Sequence, residues 1–409
     1  HELRVMGLVS NTAYTCRVAP TCPTGGPAVE VHHATTAPSV RLPVLDVDVD
    51  ASLGMTGTWT LGPWQANLGA PTWLVIWGPD GRPRWWWRLD PGVQIGVEAL
   101  LEPGTTTILY GGGEDPDGAP TLVDLWEGTL WRATPPSWGS DQYSHDTKRL
   151  PDGRILTLQY VPNRQGARTW LGFGIRVLDP ATSAVDVQLE SQRYVDEGLL
   201  PPGDGDEPYH ANWVDWKDTP AGPVVYVSLY REQRIWALDA TTGDLLWDLG
   251  AGRGWTVLDE NGDPLPDGAL PQGQHGLEVD GDRLWVYDNG VQRLQSRAER
   301  WHVDATTHTA TREWVWTEPG WYEPVVGDID VLPGGRVLLT QGTLGTGRQR
   351  ITEVDLATGQ VASRMSTDAL LDTGYRSERY DGCALFASVA VCPALRTRLD
   401  ELRPLLEAP

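Results

Sequence analysis

The sequence predicts an all-β chain organised as a six-bladed β-propeller. Three observations predict it. A strand–turn motif recurs at spacings of 51 to 65 residues, a second turn motif interleaves with it, and helical periodicity is nearly absent before the last thirty residues.

The recurring motif is a strand ending in Leu or Val, then Asp, then two or three small residues, then another strand. Four copies are plain: Leu178-Asp179-Pro180-Ala181, Leu238-Asp239-Ala240-Thr241, Val303-Asp304-Ala305-Thr306 and Val354-Asp355-Leu356-Ala357. Two weaker copies precede them, at Trp77 to Gly81 and at Val123 to Gly128. Asp and Thr suit such hairpins because their side chains bond nearby backbone N–H groups, and Gly supplies positive φ. The interleaved motif is a Pro/Asp/Gly turn before an alternating strand: Leu150 to Gly153, Val279 to Asp282 and Leu332 to Gly335. Each repeat therefore carries about four short strands, as a propeller blade does.

The ends fall outside the repeat. Residues 1–38 read as strands (His1 to Met6, Ala13 to Val18, Val29 to His32) of a partial fibronectin-like β-sandwich segment, with Tyr14 near a tyrosine corner. Residues 39–392 form the propeller. Residues 393–409 carry Leu395, Leu399, Leu402 and Leu405 at helical spacing, so a short C-terminal helix is expected.

The net charge is −23, which argues against nucleic-acid binding through phosphates. No apolar run approaches 18 residues, so no membrane span is expected. Cys16 with Cys22, and Cys383 with Cys392, form two local pairs without metal-ligand spacing. Two short disulfides in an oxidising compartment fit them best, so a periplasmic or secreted protein, free or anchored, is expected. Lys148 and Lys217 are the only lysines beside 30 arginines, and 21 Trp stand against 2 Phe. Tryptophan fills wide spaces between sheets. The acidic stretch Asp204-Gly205-Asp206-Glu207 lacks a calcium-loop pattern and reads as a solvated loop.

His145, His210 and His275 are separated by 65 and 65 residues, each just before an inner-strand hairpin. Equal spacing puts them at one blade position, facing one end of the central channel. Counting back from the same turn in other repeats gives Gly96 and Gly327. Three neutral imidazoles could bind Zn or Cu. Alternatively one attacks an electrophile while the others stabilise developing negative charge. The residues leave both chemistries open. A non-catalytic propeller binding a ligand or protein partner is a third reading.

The ordered motifs resemble the bacterial arylsulfate sulfotransferases. His145-Asp146 leading to Leu150-Pro151-Asp152-Gly153 is similar to the family's first histidine motif. Tyr209-His210-Ala211-Asn212 is similar to the second, and Gln274-His275 with Tyr287-Asp288-Asn289-Gly290 to the third. The resemblance implies sulfuryl transfer from a phenolic sulfate ester to a phenol through a sulfated histidine, with no cofactor, no metal and small-molecule partners. His275 would be the nucleophile. His145 and His210 would donate hydrogen bonds to the sulfuryl or phenolic oxygens, and Asn212 would lie in the substrate site. One position departs. Where the family carries an arginine in Ser-x-Arg, this chain reads Ser228-Leu229-Tyr230-Arg231, which puts Tyr230 at that place. Either a bulge turns Arg231 inward, or anion binding loses its charged donor. Nothing in the sequence sets an oligomeric state.

Overall fold

The computed structural model describes residues 8, 12–18, 29–35, 41–57, 59–66, 70–89, 97–102, 105–112, 118–134, 142–203, 205–342, 348–367 and 374–381. Among these, strands group into six propeller sheets and one separate two-stranded ladder.

Each blade is an antiparallel meander that starts at the channel and ends at the rim. Blade 2 runs from Val97–Leu101 outward to Gly128–Arg132. Blade 3 runs from Tyr143–Arg149 to Val185–Glu190, and blade 4 from Ala211–Thr219 to Leu245–Leu249. Blade 5 runs from Leu277–Asp280 to Thr309–Trp316, and blade 6 from Asp328–Leu332 to Val361–Ser366. Blade 5 gains a parallel strand, Thr256–Leu258, at its rim.

Blade 1 closes the ring. Its three outer strands are Trp59–Trp64, Trp73–Trp77 and Pro83–Arg88, but its innermost strand is Glu378–Tyr380, from the other end of the chain. The N-terminal side contributes a second closure, with Asp46–Val49 pairing as a fifth, outermost strand of blade 6. Glu353, fully buried in blade 6, joins the two. It accepts from Arg336 at 2.7 Å and from the Thr56 N–H at 3.0 Å, and lies 3.8 Å from Arg379 of the closing strand.

All six expected Asp turns join the third and fourth strands of a blade. Each Asp caps its own turn, accepting from a backbone N–H two residues on or, for Asp355, three. The three Pro/Asp/Gly motifs likewise join first and second strands.

The core lies between blades, one apolar cluster for each of the six interfaces. Strand alternation feeds them. Leu74 and Ile76 face blade 2, while Val75 and Trp77 face blade 6. Tryptophans contribute to every cluster, and Trp77, Trp213, Trp236 and Trp301 are fully buried. Their size explains the composition, since sheets that diverge from a common axis leave wide gaps toward the rim.

Ala13–Val18 pairs antiparallel with Val29–Ala34; strands are expected from the sequence at Ala13 to Val18 and at Val29 to His32. A short helix, Ser191–Asp196, was not expected. It follows the rim strand of blade 3, where Tyr194 packs on Phe173 and Trp236 and bonds the Gly243 carbonyl. The strand His1 to Met6, the C-terminal helix, the Cys16 side chain, Cys22, Cys383, Cys392 and Gly96 lie outside the described residues.

Candidate active site

The histidines stand at the inner starts of three consecutive blades. His145 belongs to the first strand of blade 3, at a bulge where Ser144 pairs with Leu158 and Thr147 with Thr157. His210 immediately precedes the first strand of blade 4, which bulges at Asn212. His145 and His210 adopt left-handed backbone, with φ of 42° and 47°. Histidine tolerates that region better than most residues. His275 extends the blade 5 hairpin, its N–H bonding the Tyr287 carbonyl at 3.1 Å. Gly276 lets blade 5 approach blade 6, since a Cβ there would stand 2.2 Å from Asp328 Oδ1.

The imidazoles converge with two tyrosines into a closed circle of rings. Centroids are 4.6 Å apart for His145–His210, 5.3 Å for His210–Tyr230 and 4.8 Å for Tyr230–His275. Tyr375, from the segment leading into the closing strand, completes it at 6.1 Å from His275 and 6.5 Å from His145.

Each histidine has a partner on Nδ1. His275 Nδ1 lies 2.8 Å from Asn289 Oδ1. The Asn289 amide is oriented because its nitrogen donates to the Glu323 and Val326 carbonyls at 2.7 and 2.8 Å. Asn289 therefore presents an acceptor, His275 Nδ1 carries the proton, and Nε2 holds the lone pair. His210 Nδ1 lies 2.9 Å from Glu207 Oε2, and His145 Nδ1 lies 2.6 Å from Ser144 Oγ.

Burial sets the charge states. It drives His275 down to about 3. The Asn289 bond opposes this, His210 and Arg376 add to it, and the Gly273 carbonyl opposes it again. Burial, then His210, His275 and Arg376, hold His145 well below the ordinary histidine value. Both rings are neutral near pH 7.

The other expected residues are placed as follows. Tyr230 occupies the circle, but its hydroxyl donates to the Pro324 carbonyl at 3.0 Å, so it offers the site ring rather than hydroxyl. Arg231 is exposed, its backbone N–H bonding the Tyr209 carbonyl. Asn212 is buried and donates to the Gln274 carbonyl at 2.8 Å.

Sequence reading missed three residues here. Glu207, read as part of a solvated loop, is only 17% exposed at the side chain and orients His210. Its position three residues before the histidine was the available signal. Tyr375 and Arg376 lie outside the repeat and gave none. Arg376, 1% exposed, donates to Asp146 Oδ1 and to the Asn212 carbonyl, both at 2.7 Å.

Among the described residues, one set of three His, Cys, Asp or Glu side chains brings its ligand atoms within 4.8 Å of one another. It is Asp328, Asp330 and Glu378, not the histidines. A surface pocket of about 390 Å³ lies elsewhere, over the blade 3 turns, where Arg149 and Arg154 are already paired with Glu102 and with Asp152 and Asp186.

A family model described as Arylsulfotransferase (ASST) matches residues 139–376, more than half of the chain. The chain belongs to the arylsulfotransferase family. The matched span holds all three histidines, Tyr230, Asn289 and, as its last residue, Arg376. Comparison with curated proteins returned no match. Among solved structures, similar folds include a luciferin-regenerating enzyme (13% identity, 82% of this chain and 99% of that one, TM-score 0.39). A putative 6-phosphogluconolactonase from Bacteroides fragilis aligns at 14% identity over 80% and 85%, TM-score 0.40. A chain of a nidogen/laminin complex aligns at 10% over 75% and 93%, TM-score 0.42. Scores this low carry no inference about this arylsulfotransferase-family chain.

Proposed function

We propose that the chain transfers a sulfuryl group from a phenolic sulfate ester to a phenol through a sulfated His275. Family membership supports sulfuryl transfer as the class of reaction and small molecules as substrates. The observation that carries the finer reading is the His275–Asn289 bond. It leaves a neutral imidazole whose Nδ1 proton faces the oriented Asn289 oxygen and whose Nε2 holds the lone pair.

His275 Nε2 attacks sulfur as the bond from sulfur to the phenolic oxygen breaks, and phenolate leaves. The resulting sulfo-imidazolium is neutral overall, because the ring's positive charge balances the sulfonate's negative charge. Such a species suits a buried site. His210, with Glu207 on Nδ1, takes the proton role at its other nitrogen. As an imidazolium paired with the Glu207 carboxylate, it gives its Nε2 proton to the departing phenolate, becomes neutral, and later takes the proton of the incoming phenol. His145 donates to the sulfuryl oxygens. The acceptor oxygen then attacks sulfur, the N–S bond breaks and neutral His275 returns. The Tyr230 and Tyr375 rings stand against His275 and would favour flat aromatic substrates. No step needs a cofactor or metal.

A second reading, a ligand-binding propeller without turnover, is favoured by one observation: Tyr230 stands where the family has an anion-binding arginine, and Arg231 is exposed.

The test is 4-nitrophenyl sulfate with and without phenol. Release of nitrophenol that depends on phenol, and its loss by about a thousandfold or more in His275→Ala, is the expected result. Absence of release with several aryl sulfates moves the assignment to the binding reading. We place the protein outside the cytoplasm on its cysteine spacing. Thiol titration of the unfolded chain should then find no free cysteine before reduction, and four free thiols would refute the placement.

A further inference from the structure

A line of buried hydrogen bonds ties the three histidine segments together. Asp146, directly after His145, accepts from Arg376 and also from the Val214 N–H, each at 2.7 Å. Arg376 spends another nitrogen on the carbonyl of Asn212, two residues after His210. The Asn212 side chain donates to the carbonyl of Gln274, directly before His275. Asp146, Asn212 and Gln274 are fully buried. One continuous path thus runs from the His145 segment through Arg376 to the segments of His210 and His275.

The backbone at two of these segments needs holding. His145 and His210 have positive φ, a region that non-glycine residues keep only where surrounding bonds over-determine it. A guanidinium suits the task because its planar fork reaches two acceptors at fixed angles, whereas an ammonium is a point charge on a flexible stem. Arg376 also lies over the Tyr375 ring, its Cζ 4.8 Å from the centroid. It arrives two residues ahead of Glu378–Tyr380, the strand that closes the propeller.

We propose that Arg376 is the positioning residue of this site. It holds the three histidine segments in register, and because the closing segment delivers it, ring closure and site assembly are one event. The proposal rests on the sulfotransfer reading only for its kinetic readout.

Two full-length variants test it, Arg376→Lys and Asn212→Ala. Each is followed by thermal unfolding, by kcat and KM with 4-nitrophenyl sulfate and phenol, and by the imidazole nitrogen and proton NMR signals. Arg376→Lys should fold, lose about 10- to 100-fold in kcat with little change in donor KM, and shift the His145 and His275 signals. Asn212→Ala leaves the buried ion pair whole, so it should shift the His275 signals and spare those of His145. An arginine that only stabilises the fold would lower the melting temperature and leave kcat per folded molecule and all imidazole signals unchanged. That result overturns the proposal. Should Arg376→Lys fail to fold, unchanged His275 signals in Asn212→Ala overturn it alone. Wild type that turns over no aryl sulfate, with variants that still move the imidazole signals, sinks the functional reading and leaves the positioning role standing.

Discussion

At the scale of single residues, the partner on Nδ1 decides what each site histidine can offer at its other nitrogen. Asn289→Ala removes the acceptor that fixes the His275 tautomer and leaves a buried N–H unpaired. We expect kcat to fall about 10- to 100-fold with KM little changed, measured in the phenol-acceptor assay. Burial of neutral histidines also has a thermodynamic sign. An unfolded His275 binds its proton near 6.5, the folded one near 3. Between those values the unfolded chain holds the extra proton, so the folded state is favoured fully above 6.5 and loses ground as pH falls toward 3. The loss is about 1.4 kcal/mol per pH unit for each such histidine. Melting temperatures taken from pH 7.5 down to 5 should therefore fall more steeply for wild type than for His275→Gln; equal slopes would refute the burial argument. The histidines were legible because their spacing repeats. Glu207, Tyr375 and Arg376 were not, because their roles depend on contacts that no local pattern encodes, and Arg376 meets Asp146 from 230 residues away.

At the scale of elements, the Asp turns explain why this sequence gives meanders. Asp239 Oδ1 accepts from both the Thr241 and Thr242 N–H groups at 2.8 Å. Asp239→Ala should cost about 1 kcal/mol, read as a lower unfolding midpoint with unchanged turnover. All six such turns were readable, since the turn chemistry is local. The Ser191–Asp196 helix was not, because six residues carry too little periodicity and its N-cap, Glu190, makes no side-chain capping bond. The positive φ at His145 and His210 was equally hidden, as histidine does not announce that conformation as glycine does.

At the scale of the whole molecule, the propeller is a ring whose strength depends on its seam. The seam pairs residues some 300 positions apart, Glu378–Tyr380 with blade 1 and Asp46–Val49 with blade 6, and no period in the sequence foretells it. Glu353 sits at that seam with Arg336 and Arg379 around it. Glu353→Ala removes the carboxylate beside the buried Arg379 guanidinium and should cost about 3–5 kcal/mol, visible as a large drop in melting temperature. The same seam brings Tyr375 and Arg376 to the histidines, so the segment that closes the fold also reaches the candidate site. The central claim is that His275 carries the sulfuryl group between donor and acceptor. Its most direct test mixes the protein with an aryl sulfate and no acceptor, quenches rapidly in alkali and maps the peptides by mass spectrometry. A sulfated His275 peptide, formed with one equivalent of released phenol and discharged on adding acceptor, is the result we expect. Turnover with no sulfated His275, or with the group on another residue, would contradict the account.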